Sequence, residues 1–196
     1  MDGCFVTLNP VYVNMADINF SNLSAASDSK AGDGRSTAAP GGVRWEIIEL
    51  LFFAYRDFIS DPDTILEELG FGRAHHRVVH FVGRNPGLTV AQLLDILRIT
   101  KQSLGRVLRE LIEKGYVYQR EGEQDRRQRL LFLTKEGEKL RRRLMVPQIV
   151  RIRRALDESG PGSPGHYRNV LYHLISPENR HAVRDWLGTH GGVDVG

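Results

Sequence analysis

Residues Thr89 to Leu133 read TVAQLLDILRITKQSLGRVLRELIEKGYVYQREGEQDRRQRLLFL, and their spacing decides the fold. Thr89 and Gln92 stand at cap and third-residue spacing, so hydroxyl and amide can each satisfy a backbone N–H left open at a helix start. Leu93, Leu94, Ile96 and Leu97 supply the apolar face of that first helix. Arg98 and Ile99 break it, and Thr100 is placed to cap a second. Leu104, Val107, Leu108, Leu111 and Ile112 then fall at i, i+3, i+4, i+7 and i+8, a one-sided apolar stripe. Gly115, just past the last periodic residue, marks a helix stop. Val117 to Arg120 and Gln128 to Leu133 flank a polar tip, Glu121 to Arg127, and read as a β-hairpin.

At about 100° per residue, the second helix turns Gln102, Arg106, Arg109 and Glu113 away from the buried stripe. Thr100, Lys101, Gln102 and Ser103 crowd its N-terminus, where open N–H groups and the helix dipole attract phosphate. A major groove admits one α-helix, in which Arg suits guanine and Gln suits adenine. On this basis Gln102, Ser103 and Arg106 are candidates to read bases, and Lys101, Arg109 and Arg129 to hold phosphates. The hairpin tip carries Arg126 and Arg127 on a narrow finger, a shape and charge that suit the minor groove. Asp125 is spaced to pair with Arg127 and fix its direction. The expected fold is mainly α with a small β-hairpin wing, a winged helix-turn-helix.

Several of these residues carry a family resemblance. The run from Leu88-Thr89 through Ile99-Thr100-Lys101-Gln102-Ser103 to Leu111-Ile112-Glu113-Lys114-Gly115-Tyr116-Val117 resembles the MarR family of bacterial regulators. So do Asp125-Arg126-Arg127 and Leu133-Thr134-Lys135-Glu136-Gly137, which form the more specific part of the match. The resemblance covers residues 44 to 187, and the AYRDF and GFGRAHHRVVHF segments look like the PetP-type branch. It implies a homodimer on a palindromic operator, usually a repressor, often released by a small ligand.

Composition points the same way. The chain has 196 residues, 41% of them apolar, enough for one good core. Its net charge is only +3, but residues 98 to 154 hold 17 Lys and Arg against 7 Asp and Glu. That balance of +10 leaves −7 for the remainder, a segregation expected when one face meets a polyanion. The single cysteine, Cys4, rules out an internal disulfide and reads as a spectator thiol. No run is apolar enough for a membrane span and no leader is evident, so a cytoplasmic location beside DNA is expected.

Along the chain, residues 1 to 42 read as a disordered tail, within which Met15 is a plausible alternative start. Residues 43 to 59 are apolar nearly all round and demand burial on two sides. The dimerisation helices are placed at 43 to 60 and 160 to 187, the winged helix-turn-helix at 61 to 140, and a long connecting helix at 134 to 157. Asp61 is read as a cap before Pro62. In the long helix Leu140, Leu144, Ile149, Ile152 and Leu156 are assigned to the inner side, and Arg141, Arg142, Arg143, Arg151, Arg153 and Arg154 to a basic exterior. Pro147 interrupts its hydrogen-bond ladder. Residues 188 to 196 are a C-terminal tail.

Three other functions fit the residues less well than DNA reading. His76 and His80 sit i, i+4 on one face, and zinc-sensing relatives in the resembled family make a metal-responsive regulator an alternative. No cysteine ligand is near and Glu67 and Glu68 are the only nearby carboxylates, so no metal and no cofactor are assigned. A winged-helix protein-interaction adaptor is disfavoured by the arginines of the wing. An enzyme fails on inventory, with no phosphate-cradling loop, nucleophile elbow or close acid–base pair. The resemblance places a pocket between dimer helices and winged lobe, which would involve Tyr55, Arg56, His76 and His80 and suit a small aromatic or acidic ligand.

Overall fold

The computed structural model describes residues 44–122 and 125–190. The readings of residues 1 to 42, of Cys4 and of the last six residues lie outside it. The chain divides into two compact units, Met1–Arg56 and Asp57–Gly196. In the first, helix α1 (Trp45–Ser60, which runs on into the second) presents Trp45, Ile47, Leu50, Leu51, Phe52 and Tyr55 at the surface and buries no residue.

The second unit follows the expected order: α2 (Asp63–Glu68), α3 (Arg73–Arg84), β1 (Leu88–Thr89), α4 (Val90–Leu97), α5 (Lys101–Glu113), β2 (Val117–Glu121), β3 (Arg129–Leu133), α6 (Lys135–Glu158), α7 (Ser163–Leu174) and α8 (Pro177–His190). One core joins α2 to α6. Val78, Val79 and Val82 of α3 meet Leu93 of α4, Leu104, Leu108 and Leu111 of α5, Leu131 of β3 and Leu140 and Leu144 of α6, all buried. Ile112, assigned to the buried stripe, lies at its margin and is 37% exposed.

The sheet has three strands in the order β1-β3-β2, all antiparallel. Leu88 pairs with Leu131 and Thr89 with Leu130, so β1 ties the start of α4 to the hairpin base. The sequence pattern gives only the hairpin, because a two-residue strand has no periodicity to show.

Two local features fix the junction where the hairpin returns to α6. Thr134 Oγ1 accepts from the Gly137 N–H at 3.0 Å as the helix cap and donates to the Gly115 carbonyl at 2.6 Å. A Cβ on Gly137 would fall on the Tyr116 carbonyl oxygen, so the last residue of this Leu-Thr-x-x-Gly run must lack a side chain. Gly115 itself takes a left-handed conformation with φ +75°, as the stop after α5 requires.

Three assignments are corrected. Asp61 is not a helix cap. Its carboxylate instead takes both Nε and Nη2 of Arg151, at 2.7 and 2.6 Å, ninety residues along the chain. The inner side of α6 is interrupted at Ile149, beyond which Ile152 and Leu156 are half-buried. Leu140, Leu144 and Gln148 are buried, but Ile149 and Val150 are exposed, and buried Gln148 donates to the Phe58 carbonyl. Arg141 is likewise not exterior. It lies half-buried against Gly83 and bonds both oxygens of Glu138, which holds that carboxyl below its usual range.

Candidate nucleic-acid interface

Helix α5 is positioned by its own ends and by its apolar stripe. Thr100 Oγ1 accepts from the Ser103 N–H at 3.1 Å and donates to Ser103 Oγ at 2.9 Å, so this hydroxyl pair completes the cap. The preceding helix starts with the reciprocal box expected of Thr89 and Gln92, each side chain meeting the other's backbone N–H. Between the two helices Arg98 takes a left-handed conformation, φ 50°, with no glycine to make it easy. Its guanidinium reaches Asn179 of α8 at 2.7 Å.

This frame leaves Lys101, Gln102, Arg106 and Arg109 exposed along one side of α5. None of them enters an ion pair among the described residues, and Ser103 is half-exposed beside them. The row is therefore pre-set on a rigid element and electrostatically uncompensated, the condition for meeting a phosphate backbone.

The wing is stiffened by aromatic contact. Tyr118 stacks on Phe132 across β2 and β3, ring centroids 5.4 Å apart, and the Arg120 guanidinium lies 5.3 and 5.2 Å from their ring centres. Arg129 turns back along the hairpin to Glu121 at 2.8 Å. Asp125 does not pair with the Arg127 guanidinium. Its Oδ1 accepts from the Arg127 backbone N–H at 2.9 Å, closing the turn. The arrangement resembles an Asx turn and leaves the side chains of Arg126 and Arg127 exposed.

A family model for the MarR family matches residues 69–128, which span α3 to α5 and the first strand of the wing. The HTH-type transcriptional regulator PetP of Rhodobacter capsulatus is 50% identical over 153 residues, covering 74% of this chain and 92% of that protein. The chain belongs to the MarR family of transcriptional regulators. That family is one of regulators and not of enzymes. The fold of this MarR-family protein is also that of solved relatives. A putative MarR family regulator from Listeria monocytogenes, complexed with 26mer DNA, matches with TM-score 0.58 and 18% identity over 76% of this chain and 97% of its own. Streptococcus pneumoniae FabT in complex with DNA matches with TM-score 0.55 and 22% identity over 66% of this chain and 92% of its own.

The candidate ligand residues of this regulator belong to different units. Tyr55 and Arg56 stand exposed on α1 in the first unit. His76 and His80 lie on α3 in the second, and burial pushes both imidazoles toward the neutral form, His80 down to about 4. His76 Nε2 and His80 Nδ1 are buried without a hydrogen-bond partner. Among the described residues no three His, Cys, Asp or Glu side chains gather as a metal-binding group. His80 does line a cavity of about 630 Å³ between α3, α4 and α8, whose walls include Phe81, Ile96, Val183 and Trp186, with Arg84 and Arg98 beside them. Residue spacing alone does not reveal this cavity, because α8 lies some eighty residues beyond α4. No helix among the described residues is long and apolar enough to cross a membrane.

Proposed function

We propose that this protein is a sequence-specific DNA-binding transcriptional regulator that acts in the bacterial cytoplasm as a homodimer on a palindromic operator, usually to repress. The observation that carries this reading is the exposed, uncompensated row Lys101, Gln102, Arg106 and Arg109 beside the arginine-tipped wing. Each protomer sets α5 into a major groove and Arg127 into the flanking minor groove. Gln102, Ser103 and Arg106 read bases, while Lys101 and Arg109 hold phosphates. The MarR-family structures solved with DNA support the same partner.

The dimer is supported by apolar surface that no described residue covers. Ile47, Leu50 and Leu51 on α1 are 57%, 57% and 49% exposed, and α7 leaves Val170 and Leu174 at 56% and 60%. Exposed apolar side chains on this scale, on each helix taken by itself, mark an interface. Release by a small aromatic or acidic ligand is supported by the α3–α4–α8 cavity, whose size suits a small molecule and which adjoins the Arg98 turn.

A mobility shift with the operator recovered by random-sequence selection tests the reading. Arg106→Ala lowers affinity about 5- to 150-fold, about 1–3 kcal/mol, and relaxes base preference at one position. Arg127→Ala weakens binding with an unchanged melting curve. Wild-type affinity in both variants at physiological salt rejects the assignment.

A further inference from the structure

The C-terminal half of α5 is fastened to the corner between α2 and α3 by a group that the reading of bases does not use. His75, only 8% exposed, lies at the centre. Its Nδ1 accepts from the Gly72 N–H at 3.0 Å, so that nitrogen carries no hydrogen. Its Nε2 must then be the protonated one, and it donates to Glu110 Oε2 at 2.9 Å. The imidazole is held flat against Phe71, with centroids 4.5 Å apart and planes 15° off parallel. Lys114, one turn beyond Glu110, sits 4.6 Å from the centre of the same Phe71 ring and donates to the Leu69 carbonyl at 2.5 Å.

These contacts act on one flank of the helix. At about 100° per residue Glu110 lies about 80° round from Gln102, and Lys114 about 120° round. The apolar stripe holds α5 against the core but resists rotation about the helix axis weakly, since burial is non-directional. A hydrogen bond with one permitted tautomer is directional, and it acts on a side chain away from the helix axis, where it opposes rotation.

We infer that His75 and Glu110 form a positioning pair that sets the rotation of α5 about its axis, and so selects which base edges Gln102 and Arg106 reach. The inference rests on the reading of α5 as the base-reading helix. Neither residue of the pair touches DNA in this scheme. Their effect is on discrimination between sequences, not on total attraction to the duplex.

The test is the ratio of affinities for the selected operator and a random duplex at the same salt, measured on the full chain alongside a melting curve. Glu110→Ala and Glu110→Gln both remove a negative charge, so both bind the random duplex somewhat more tightly. Only Gln keeps an oxygen that accepts from His75. Glu110→Ala lowers the ratio at least fivefold, while Glu110→Gln stays within twofold of wild type. His75→Asn can still accept from the Gly72 N–H but is too short to reach Glu110. It reproduces the loss without altering the charge of α5. A ratio unchanged in Glu110→Ala, or one that falls equally in Glu110→Gln, overturns the pair while leaving DNA binding intact. A wild-type protein that prefers no duplex overturns the reading of α5 itself, and the pair with it.

Discussion

Helices α5 and α1 have 13 and 16 residues and solve opposite problems. The first is mostly polar, yet Leu104, Val107, Leu108 and Leu111 are all buried, because its few apolar residues share one stripe that the same chain covers. The second is far more apolar and buries none of its residues. Composition thus tells how much surface a helix needs to hide, whereas spacing tells whether its own chain can hide it. The helix that completes itself is left with a free polar side for a partner of different chemistry. The one that does not keeps an apolar side that no described residue covers.

The comparison breaks most readily at Leu104, which is fully buried. Leu104→Ala costs about 2–5 kcal/mol in urea unfolding, through lost apolar contact and the cavity left behind. Leu50→Ala, at a position 57% exposed, leaves the unfolding midpoint of the winged lobe unchanged and shifts sedimentation toward the single chain. Equal losses of stability from the two would erase the distinction between a helix completed within the chain and one completed outside it.

A smaller effect sharpens it. Gly137→Ala forces a methyl group onto the Tyr116 carbonyl oxygen, which has no room to retreat while Thr134 bonds the neighbouring Gly115 carbonyl. The cost is about 1–3 kcal/mol by the same urea measurement, with no change in association.

The smallest is a dependence on acidity. The folded protein holds His80 near 4 against an ordinary value of 6.5, chiefly because burial disfavours the charged ring, with His76, Arg141 and Arg84 adding repulsion. The unfolded chain therefore binds the proton more readily between those values. Stability is full above pH 6.5 and declines as pH falls toward 4. From pH 7 to 5.5 the loss is on the order of 1 kcal/mol. His80→Gln flattens that part of the stability curve, and an equal slope in the variant would assign the decline to other groups.

Legibility in the sequence followed the range of the interaction. The box at Thr89, the cap at Thr100, the stripe of α5 and the stop at Gly115 all involve neighbours within two turns, and each is found where spacing places it. The exposed row from Lys101 to Arg109 follows from the same periodicity. Long-range pairings left no such trace. Asp61 with Arg151, Arg98 with Asn179, and the two-residue strand β1 against β3 depend on which distant segment arrives alongside. Asp125 shows a further limit. Its position was legible, but carboxylate and backbone N–H met where two side chains were expected, because a turn offers its own amide at shorter reach.

The single hydroxyl of Thr134 touches the end of the loop that opens the hairpin and the first turn of α6 at once. With Gly137 allowing no gap between them, finger and rod are welded and not hinged. An approaching signal cannot bend one wing aside while the long helices stay still. Redirecting the wing therefore requires the start of α6 to move with it.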